Sequence, residues 1–239
     1  MASGLKARLE DTGDWLSSPL FPPPRPGPAV ANESAAPGRA ADALSALARV
    51  VEACRLCPLG TQRQHPAFGV GDPAARVMFV GEGPGFEEDR RGEPFVGKAG
   101  QLLDKILAAI GLSRRTVYIA NVVKCHPMVD PSKPEARGND RPPTPDEAAA
   151  CRPYLEEQIR RIRPRFIVSL GATATKSLLG EDLGITRIRG VWREFRLAGL
   201  DEPVRLLPTY HPAALLRNPD LKRDVWTDMK NLKKALEET

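Results

Sequence analysis

The sequence lacks any uninterrupted apolar run of the roughly 20 residues that a membrane-spanning helix requires. Its first residues, MASGLKARLEDTGDW, also lack the apolar stretch of a secretory signal peptide. These two absences argue against an integral membrane protein and against a secreted one. We therefore expect a soluble protein of the cytoplasm with no membrane partner, and we expect it to be a monomer.

Cysteine is scarce, with only four residues in a chain of 239. Four cysteines are enough for two disulfides, but the reducing cytoplasm disfavours disulfides and leaves metal binding or buried thiols as the alternatives. Cys54 and Cys57 form a CxxC pair, whereas Cys125 and Cys151 each stand alone. Zinc ribbons usually have two close pairs, so the spacing by itself leaves zinc, an iron–sulfur cluster and unconnected thiols open.

Basic residues outnumber acidic ones, 35 Lys and Arg against 30 Asp and Glu, and the isoelectric point is about 9.2. This balance favours a polyanionic partner. Residues 1–40 contain equal numbers of the two signs, so the excess belongs to the rest of the chain. Because Pro, Ala, Gly and Ser crowd residues 16–40, we predict a disordered leader over 1–40 and one globular domain over 41–239.

Apolar strands and amphipathic helices alternate along this domain. We predict strands in RVMFVGEG, TVYIANVV, FIVSLG and VRLLPTY, with helical spacing of apolar residues between them. Thr144, Pro145 and Glu147 supply the N-cap, the first-turn proline and the capping-box glutamate of a helix that runs toward Ile162. The pattern predicts a three-layer α/β/α fold with a central, mainly parallel four-stranded sheet.

In such a sheet the ligand site lies beyond the carboxyl ends of the strands, which here are GEGPG, ANVVKCHP and TYHPAALLRNP. The first segment continues into GEPFVGKA, from Gly92 to Ala99, which approaches the P-loop pattern for binding phosphate. Ala99 replaces the Ser or Thr that holds magnesium in a P-loop, and the polar FEEDRRGE separates Gly92 from its strand. Nucleotide hydrolysis is therefore disfavoured.

Three residues near these strand ends have both a structural and a functional interpretation. Phe95 is either a core residue or an aromatic platform. Asn121 lies in an otherwise apolar strand, and an unpaired buried amide costs about 1 to 3 kcal/mol, so the amide is either satisfied by backbone or kept for a ligand. His211 is either structural or part of a loop that presses two leucines and Arg217 into DNA.

Taken together and in this order, the motifs resemble the family-four uracil-DNA glycosylases, the iron–sulfur branch of that superfamily. The resemblance covers roughly Ala41 to the C-terminus. It implies an enzyme that flips uracil out of DNA, hydrolyses its N-glycosidic bond and leaves an abasic site for base excision repair. A non-catalytic iron–sulfur or zinc DNA-binding module on the same scaffold is the alternative. The resemblance also implies a structural [4Fe-4S] cluster on Cys54, Cys57, Cys125 and Cys151.

The resemblance further implies roles for residues at the strand ends. The catalytic residues would be Glu82, which positions or activates water, Glu88 as a weaker second carboxylate, and His211, which donates to a carbonyl of the departing uracil. The base would be bound by the backbone of Gly83 and Gly85, by stacking on Phe95 and by the amide of Asn121. DNA would be contacted by Lys98, Arg189 and Arg217 at phosphates, and by Leu215 or Leu216 as a wedge that fills the vacated stack.

The expected substrate is uracil-containing DNA, single- or double-stranded, and the leader is a candidate contact for a repair or replication partner. The chain departs from the family pattern in two places. Gly83 stands where alanine is more common, which bears on the water pocket. The loop between Cys125 and Cys151 is longer than usual, which bears on its contact with DNA.

Overall fold

The computed structural model describes residues 37–181 and 183–238. Most of the predicted leader lies outside these described residues. Its last residues belong to helix α1, Pro37–Glu52, which begins ahead of the predicted domain start at residue 41. Within the two described ranges, no helix is both long enough and apolar enough to cross a membrane.

A six-stranded sheet forms the centre of the part of the chain that the structure describes. Its order is β1-β3-β2-β4-β6-β5, in which the four inner strands are parallel and each edge strand is antiparallel to its neighbour. The four inner strands are the four that the sequence predicts. The strands are β1 (Val70–Gly71), β2 (Val77–Gly81), β3 (Tyr118–Asn121), β4 (Phe166–Leu170), β5 (Arg193–Phe195) and β6 (Val204–Thr209).

The prediction of a four-stranded sheet is wrong, because two further strands pair with its edges. β1 has two residues and β5 has three, too few for an alternating apolar pattern to stand out in the sequence. Short edge strands are one way in which proteins limit pairing between sheet edges of different molecules.

Helices cover both faces of the sheet, so the three-layer prediction is confirmed. α1, α5 and α6 pack on one face, and α4, α8 and α9 pack on the other. The helices that follow α1 are α2 (Leu59–Gln62), α3 (Phe86–Arg91), α4 (Lys98–Ala109), α5 (Pro145–Ile162), α6 (Ala172–Leu179), α7 (Ile185–Ile188), α8 (Pro212–Arg217) and α9 (Lys222–Glu237).

Strand β2 shows how the two cores are separated. Met78 and Val80 point into the core under α1 and α5, whereas Val77 and Phe79 belong to the core under α4 and α9. Every residue of β2 is buried. This explains why the strand is a continuous apolar run, as expected of a parallel strand that is covered on both faces.

Helix α5 begins with the predicted capping box. The hydroxyl of Thr144 accepts from the N–H of Glu147 at 3.2 Å, and the Glu147 carboxylate accepts from the N–H of Thr144 at 2.8 Å. Glu147 also forms a two-bond ion pair with Arg141, at 2.8 and 2.7 Å. These contacts fix the end of the long loop that leads from β3 to α5.

Gly100, in the first turn of α4, generates a stability prediction. A Cβ atom there would lie 1.7 Å from the carbonyl oxygen of Phe95. We expect Gly100→Ala to lower the free energy of unfolding by about 1 to 3 kcal/mol, because the backbone of Phe95 must move to relieve the clash. Chemical denaturation of the parent and the variant measures this difference.

Gly38, in the first turn of α1, provides the matched control. Apart from its chain neighbours and the backbone of its own helix, no described atom lies within 4 Å of the position that its Cβ would occupy. Gly38→Ala should be neutral or stabilising, since Ala is favoured over Gly inside a helix by about 1 kcal/mol. Equal stabilities of the Gly38→Ala and Gly100→Ala proteins would contradict the close approach of α4 to Phe95.

Candidate active site

A cavity of about 430 Å³ lies at the carboxyl ends of the parallel strands. Its lining comes mainly from the loop after β2, the last residue of β3 and the segment after β6. The prediction that these strand ends meet is therefore confirmed, whereas the roles of individual side chains stay predictions. The lining includes eight residues named from the sequence: Glu82, Gly83, Gly85, Glu88, Phe95, Asn121, His211 and Arg217.

Asn121 is the last residue of β3 and lies opposite Gly81 of β2. Its side chain is buried, and its Oδ1 atom has no hydrogen-bond partner among the described residues. Leaving such an atom unpaired costs about 1 to 3 kcal/mol. A donor on a ligand in the cavity would remove this cost, so the structure supports the ligand-binding interpretation of Asn121.

The ring of Phe95 belongs to the core under α4 and also lines the cavity, 5.5 Å from the ring of His211 between centroids. The backbone of Phe95 has φ of 57°, a left-handed conformation that is uncommon for a bulky residue. Arg114 stabilises it by donating to the carbonyl oxygens of Pro94 at 2.6 Å and Phe95 at 3.0 Å. Arg114 is thus a positioning residue, which the sequence analysis missed because it lies beyond α4.

The carboxylate of Glu88 binds three backbone groups. It accepts from the N–H of Gly85 at 3.1 Å, of Val96 at 2.9 Å and of Gly97 at 2.8 Å. These bonds join the glycine-rich loop to the start of α4, so Glu88 serves the geometry of the site and Glu82 is the better candidate for acting on water. The bonds also occupy N–H groups that a P-loop would direct at phosphate, which further disfavours nucleotide hydrolysis.

His211 follows β6 and caps α8, where its Nδ1 accepts from the N–H of Ala213 at 3.1 Å. An accepting Nδ1 carries no proton, so the neutral ring carries its proton on Nε2. Burial, and secondarily the charge of Arg217, lowers the pKa of His211 to about 4. The imidazole is therefore neutral at neutral pH, and its Nε2–H is the donor that this residue brings to the site.

Three residues predicted to contact DNA lie exposed near the cavity. Lys98 is the first residue of α4, next to the cavity residue Ala99, and Arg217 ends α8 and lines the cavity itself. Leu216, also on α8, is 50% exposed. Two cations and an apolar side chain at the rim suit contacts with phosphates and with the base stack.

The structure argues against two other predicted DNA contacts. Leu215 is 1% exposed in the core under α8 and α9, so it is not available as a wedge. Arg189 forms two hydrogen bonds with the carboxylate of Asp228, one of them at 3.0 Å, and donates to the carbonyl oxygen of Asp224 at 2.6 Å. Its guanidinium therefore anchors α9 instead of binding a phosphate.

The long loop between β3 and α5 lines one part of the cavity, and the sequence analysis named only its beginning, in ANVVKCHP. Hydrogen bonds join its two ends, since Arg141 N–H donates to the carbonyl oxygen of Pro127 at 3.1 Å. The Asp140 carboxylate lies 2.6 Å from Nε2 of the buried His126. No local sequence pattern relates residues so far apart. The loop supplies Pro127, Asp140, Arg141 and Pro142.

The four cysteines line a second, smaller cavity and all are free thiols. Cys54 and Cys57 follow α1, Cys125 follows β3, and Cys151 lies in α5. Burial raises the pKa of Cys125 to about 11 and also raises that of Cys151. A cation is therefore needed to hold these two as thiolates at neutral pH.

Polar groups already contact two of these sulfur atoms. Arg63 donates to Sγ of Cys125 at 2.9 Å, and the backbone N–H of Lys124 donates to Sγ of Cys151 at 3.4 Å. Over residues 37–181 and 183–238, no group of three or more His, Cys, Asp and Glu side chains is arranged to hold a metal ion.

A three-layer fold with a cavity at the strand ends and a basic, partly apolar rim suits a protein that acts on a base taken out of a nucleic acid. The chain belongs to the uracil DNA glycosylase superfamily, whose family model matches residues 68–230. The matched region contains every strand of the described residues and every residue that lines the cavity at the strand ends, whereas Cys54 and Cys57 precede it.

Relatives named type-4 uracil-DNA glycosylase are similar to this chain over most of their length. The one from Sulfurisphaera tokodaii is 42% identical over 200 residues, which cover 80% of this chain and 84% of the relative. The one from Thermotoga maritima is 44% identical over 186 residues, covering 77% and 89%. A type-5 uracil-DNA glycosylase from Thermus thermophilus is 29% identical over 198 residues, covering 70% and 85%. The chain is thus more similar to these two type-4 proteins than to this type-5 protein.

The low pKa of His211 predicts how stability changes with pH. The unfolded chain binds a proton near the ordinary value of 6.5, whereas the folded ring binds one only near 4. Between these values the unfolded state binds more protons, so the folded protein loses stability as the pH falls through this window. We expect His211→Asn to make that loss smaller, which denaturant titrations at about pH 7 and about pH 4.5 measure.

Nuclear magnetic resonance provides an independent test of the same ring. Long-range ¹H–¹⁵N spectra near neutral pH should show a proton on Nε2 and none on Nδ1 of His211. A doubly protonated ring, or a proton on Nδ1, would contradict the assignment of His211 as a neutral donor through Nε2.

Proposed function

We propose that this protein is a uracil-DNA glycosylase, which hydrolyses the bond between uracil and deoxyribose and leaves an abasic site for base excision repair. One observation carries the proposal: three complementary groups line the same cavity. They are the buried amide of Asn121 with its unpaired oxygen, the aromatic ring of Phe95 and the neutral imidazole of His211. Membership of the superfamily and similarity to type-4 relatives support it.

Recognition begins when the target nucleotide leaves the base stack, at a cost of a few kcal/mol that is lower for a mispaired base. The flipped ring stacks on Phe95. Oδ1 of Asn121 accepts from the imide N–H of uracil, and its amide group donates to the carbonyl at position four. Cytosine presents an amine and a bare ring nitrogen at these positions, so both groups of Asn121 would be left unpaired.

Cleavage of the N-glycosidic bond places negative charge on the uracil and positive charge on the sugar. Nε2–H of His211 donates to a carbonyl of the departing base, and the neutral ring does so without first having to lose a proton. Glu82 orients the water that attacks the sugar carbon and stabilises the sugar cation. The water adds its hydroxyl group to the sugar carbon as the N-glycosidic bond breaks, and its other proton neutralises the released uracil anion.

The rim of the cavity holds the DNA on either side of the flipped nucleotide. Lys98 and Arg217 bind phosphates, and Leu216 enters the gap that the uracil leaves. The substrate is uracil-containing DNA, single- or double-stranded, and the protein acts on it as a monomer in the cytoplasm. The leader over residues 1–40 is the segment that we propose for contact with a repair or replication partner.

We also propose a [4Fe-4S] cluster on Cys54, Cys57, Cys125 and Cys151, although their described side chains are not arranged to hold a metal ion. The proposal is supported by the cavity that all four line and by the N–H groups that contact two of their sulfur atoms. A bound cluster would supply a structural clip that ties the end of α1 to the loop after β3 and to α5. None of the catalytic residues proposed above lies among these ligands.

The alternative function is a non-catalytic iron–sulfur or zinc DNA-binding module on the same scaffold. Such a module needs the basic rim but has no use for a buried, unpaired amide oxygen beside a neutral imidazole. Release of free uracil from a uracil-containing oligonucleotide by the purified protein separates the two functions.

The proposed roles predict an order of severity for three substitutions in single-turnover uracil release. Phe95→Ala removes a stacking platform worth roughly 1 to 3 kcal/mol per base and should slow release strongly. His211→Ala removes a donor to the developing anion and should slow release by a factor of about a hundred or more. Lys98→Ala should only weaken DNA binding, and the effect should diminish as salt is added.

The same set of variants tests the rejected P-loop interpretation. Release is measured for all three at two salt concentrations, beside a titration of the parent protein with ATP and magnesium. Tight ATP binding, or a Lys98→Ala protein slower than both other variants at low salt, would mean that the loop binds phosphate and not uracil.

The proposed cluster predicts the colour of the protein. Anaerobically purified protein should be brown, with a broad absorbance at about 400 nm and close to four irons per chain. A Cys151→Ala variant should lose the colour and much of its stability, because the ligand joins α5 to the loop after β3. A colourless parent that holds stoichiometric zinc would overturn the assignment.

A further inference from the structure

Lys124 has a fully buried side chain that the proposed mechanism does not use. It lies three residues beyond Asn121, directly before Cys125. Its Nζ donates to the backbone carbonyl oxygen of Asn121 at 2.8 Å and to Oε1 of Gln158 at 2.6 Å. The bond to Asn121 reaches the one residue whose side chain we assign to reading the base.

The environment of this ammonium group is polar but holds no acidic side chain as its partner. In the described part of the chain, no carboxylate forms an ion pair with Lys124. Gln158, which accepts from the ammonium, is itself fixed, because its Nε2 donates to the carbonyl oxygen of Phe68 at 2.9 Å and to the hydroxyl of Tyr118 at 3.3 Å. Lys124 is therefore held in one position by a buried network with defined partners.

The backbone of the same residue contacts the four-cysteine cavity. Its N–H donates to Sγ of Cys151 at 3.4 Å, and its carbonyl oxygen accepts from the N–H of Ala67 at 2.8 Å. Lys124 also lines that cavity. One residue thus touches a cysteine ligand with its main chain and the base-reading residue with its side chain.

We propose that Lys124 is a positioning residue that ties the main chain of Asn121 to the four-cysteine cavity and so sets the orientation of the amide that reads uracil. The inference rests on the proposed function. Backbone hydrogen bonds hold the residues just beyond Asn121, since the N–H of Val122 donates to the carbonyl oxygen of Gly81 at 2.9 Å. The Lys124 ammonium adds a bond to the carbonyl oxygen of Asn121 itself.

The test compares Lys124→Met, which keeps the length of the side chain but removes the donor, with the parent protein. Single-turnover uracil release should fall by about tenfold or more, as expected from the loss of a hydrogen bond with a charged donor. Affinity for undamaged DNA should stay unchanged, because Lys124 is buried and touches no rim residue. Lys234→Met, a lysine on α9 whose side chain is 78% exposed, is the matched control and should behave like the parent in both assays.

A double-mutant cycle with Asn121→Ala distinguishes positioning from a general structural role. If Lys124 acts through Asn121, Lys124→Met should add little to the loss of uracil release already caused by Asn121→Ala. A merely structural role predicts losses that multiply, and that outcome would overturn the proposal.

Two controls keep the result interpretable. The absorbance at about 400 nm and the unfolding temperature establish that each variant is folded and retains its cluster. Lys124→Gln, a smaller neutral replacement, should reproduce the loss of release, and failure of both variants to accumulate in folded form would count against a positioning role.

If the parent itself releases no uracil, the proposed function fails. If the parent releases uracil and Lys124→Met matches it, only this inference fails.

Discussion

The absence of a side chain at Gly81 is the constraint on which the cavity depends. A Cβ atom at this last residue of β2 would lie 2.4 Å from Oδ1 of Asn121 and 2.5 Å from the ring of Phe95. The amide and the ring can lie this close to the end of β2 only because that residue is glycine. A larger residue would force the amide, the ring or both to shift.

The side chains around this point are held by hydrogen bonds from neighbouring groups. Glu88 fastens the glycine-rich loop to α4, Arg114 stabilises the left-handed turn at Phe95, and the N–H of Ala213 fixes the tautomer of His211. A site preorganised in this way loses little free energy to rearrangement when the charge of the transition state develops.

The two faces of the sheet contribute different parts of the site. The face covered by α1 and α5 carries the four cysteines, and the face covered by α4, α8 and α9 carries Phe95, His211 and the rim of the cavity. Asn121 ends β3, whose residues alternate between the two cores, with Ala120 in the first and Ile119 in the second.

Local patterns in the sequence were sufficient for the order of the four inner strands, for the capping box at Thr144 and for the prediction that Asn121 and His211 lie at carboxyl ends of strands. These features depend on residue spacing along one segment, and the carboxyl ends of parallel strands lie at one edge of the sheet. The two short edge strands were missed because so few residues carry no periodic signal.

The sequence by itself determined which chemical groups are available to this protein and near which strand ends they lie. Only the tertiary structure decided which of them are free to act. Leu215 is buried and Leu216 is exposed, because only one face of α8 packs in the core with α9. The sequence of two adjoining leucines does not reveal which of them lies on that face. It also committed Arg189 to Asp228, because an ion pair between residues far apart in the chain forms only when the packing of the whole domain brings them together.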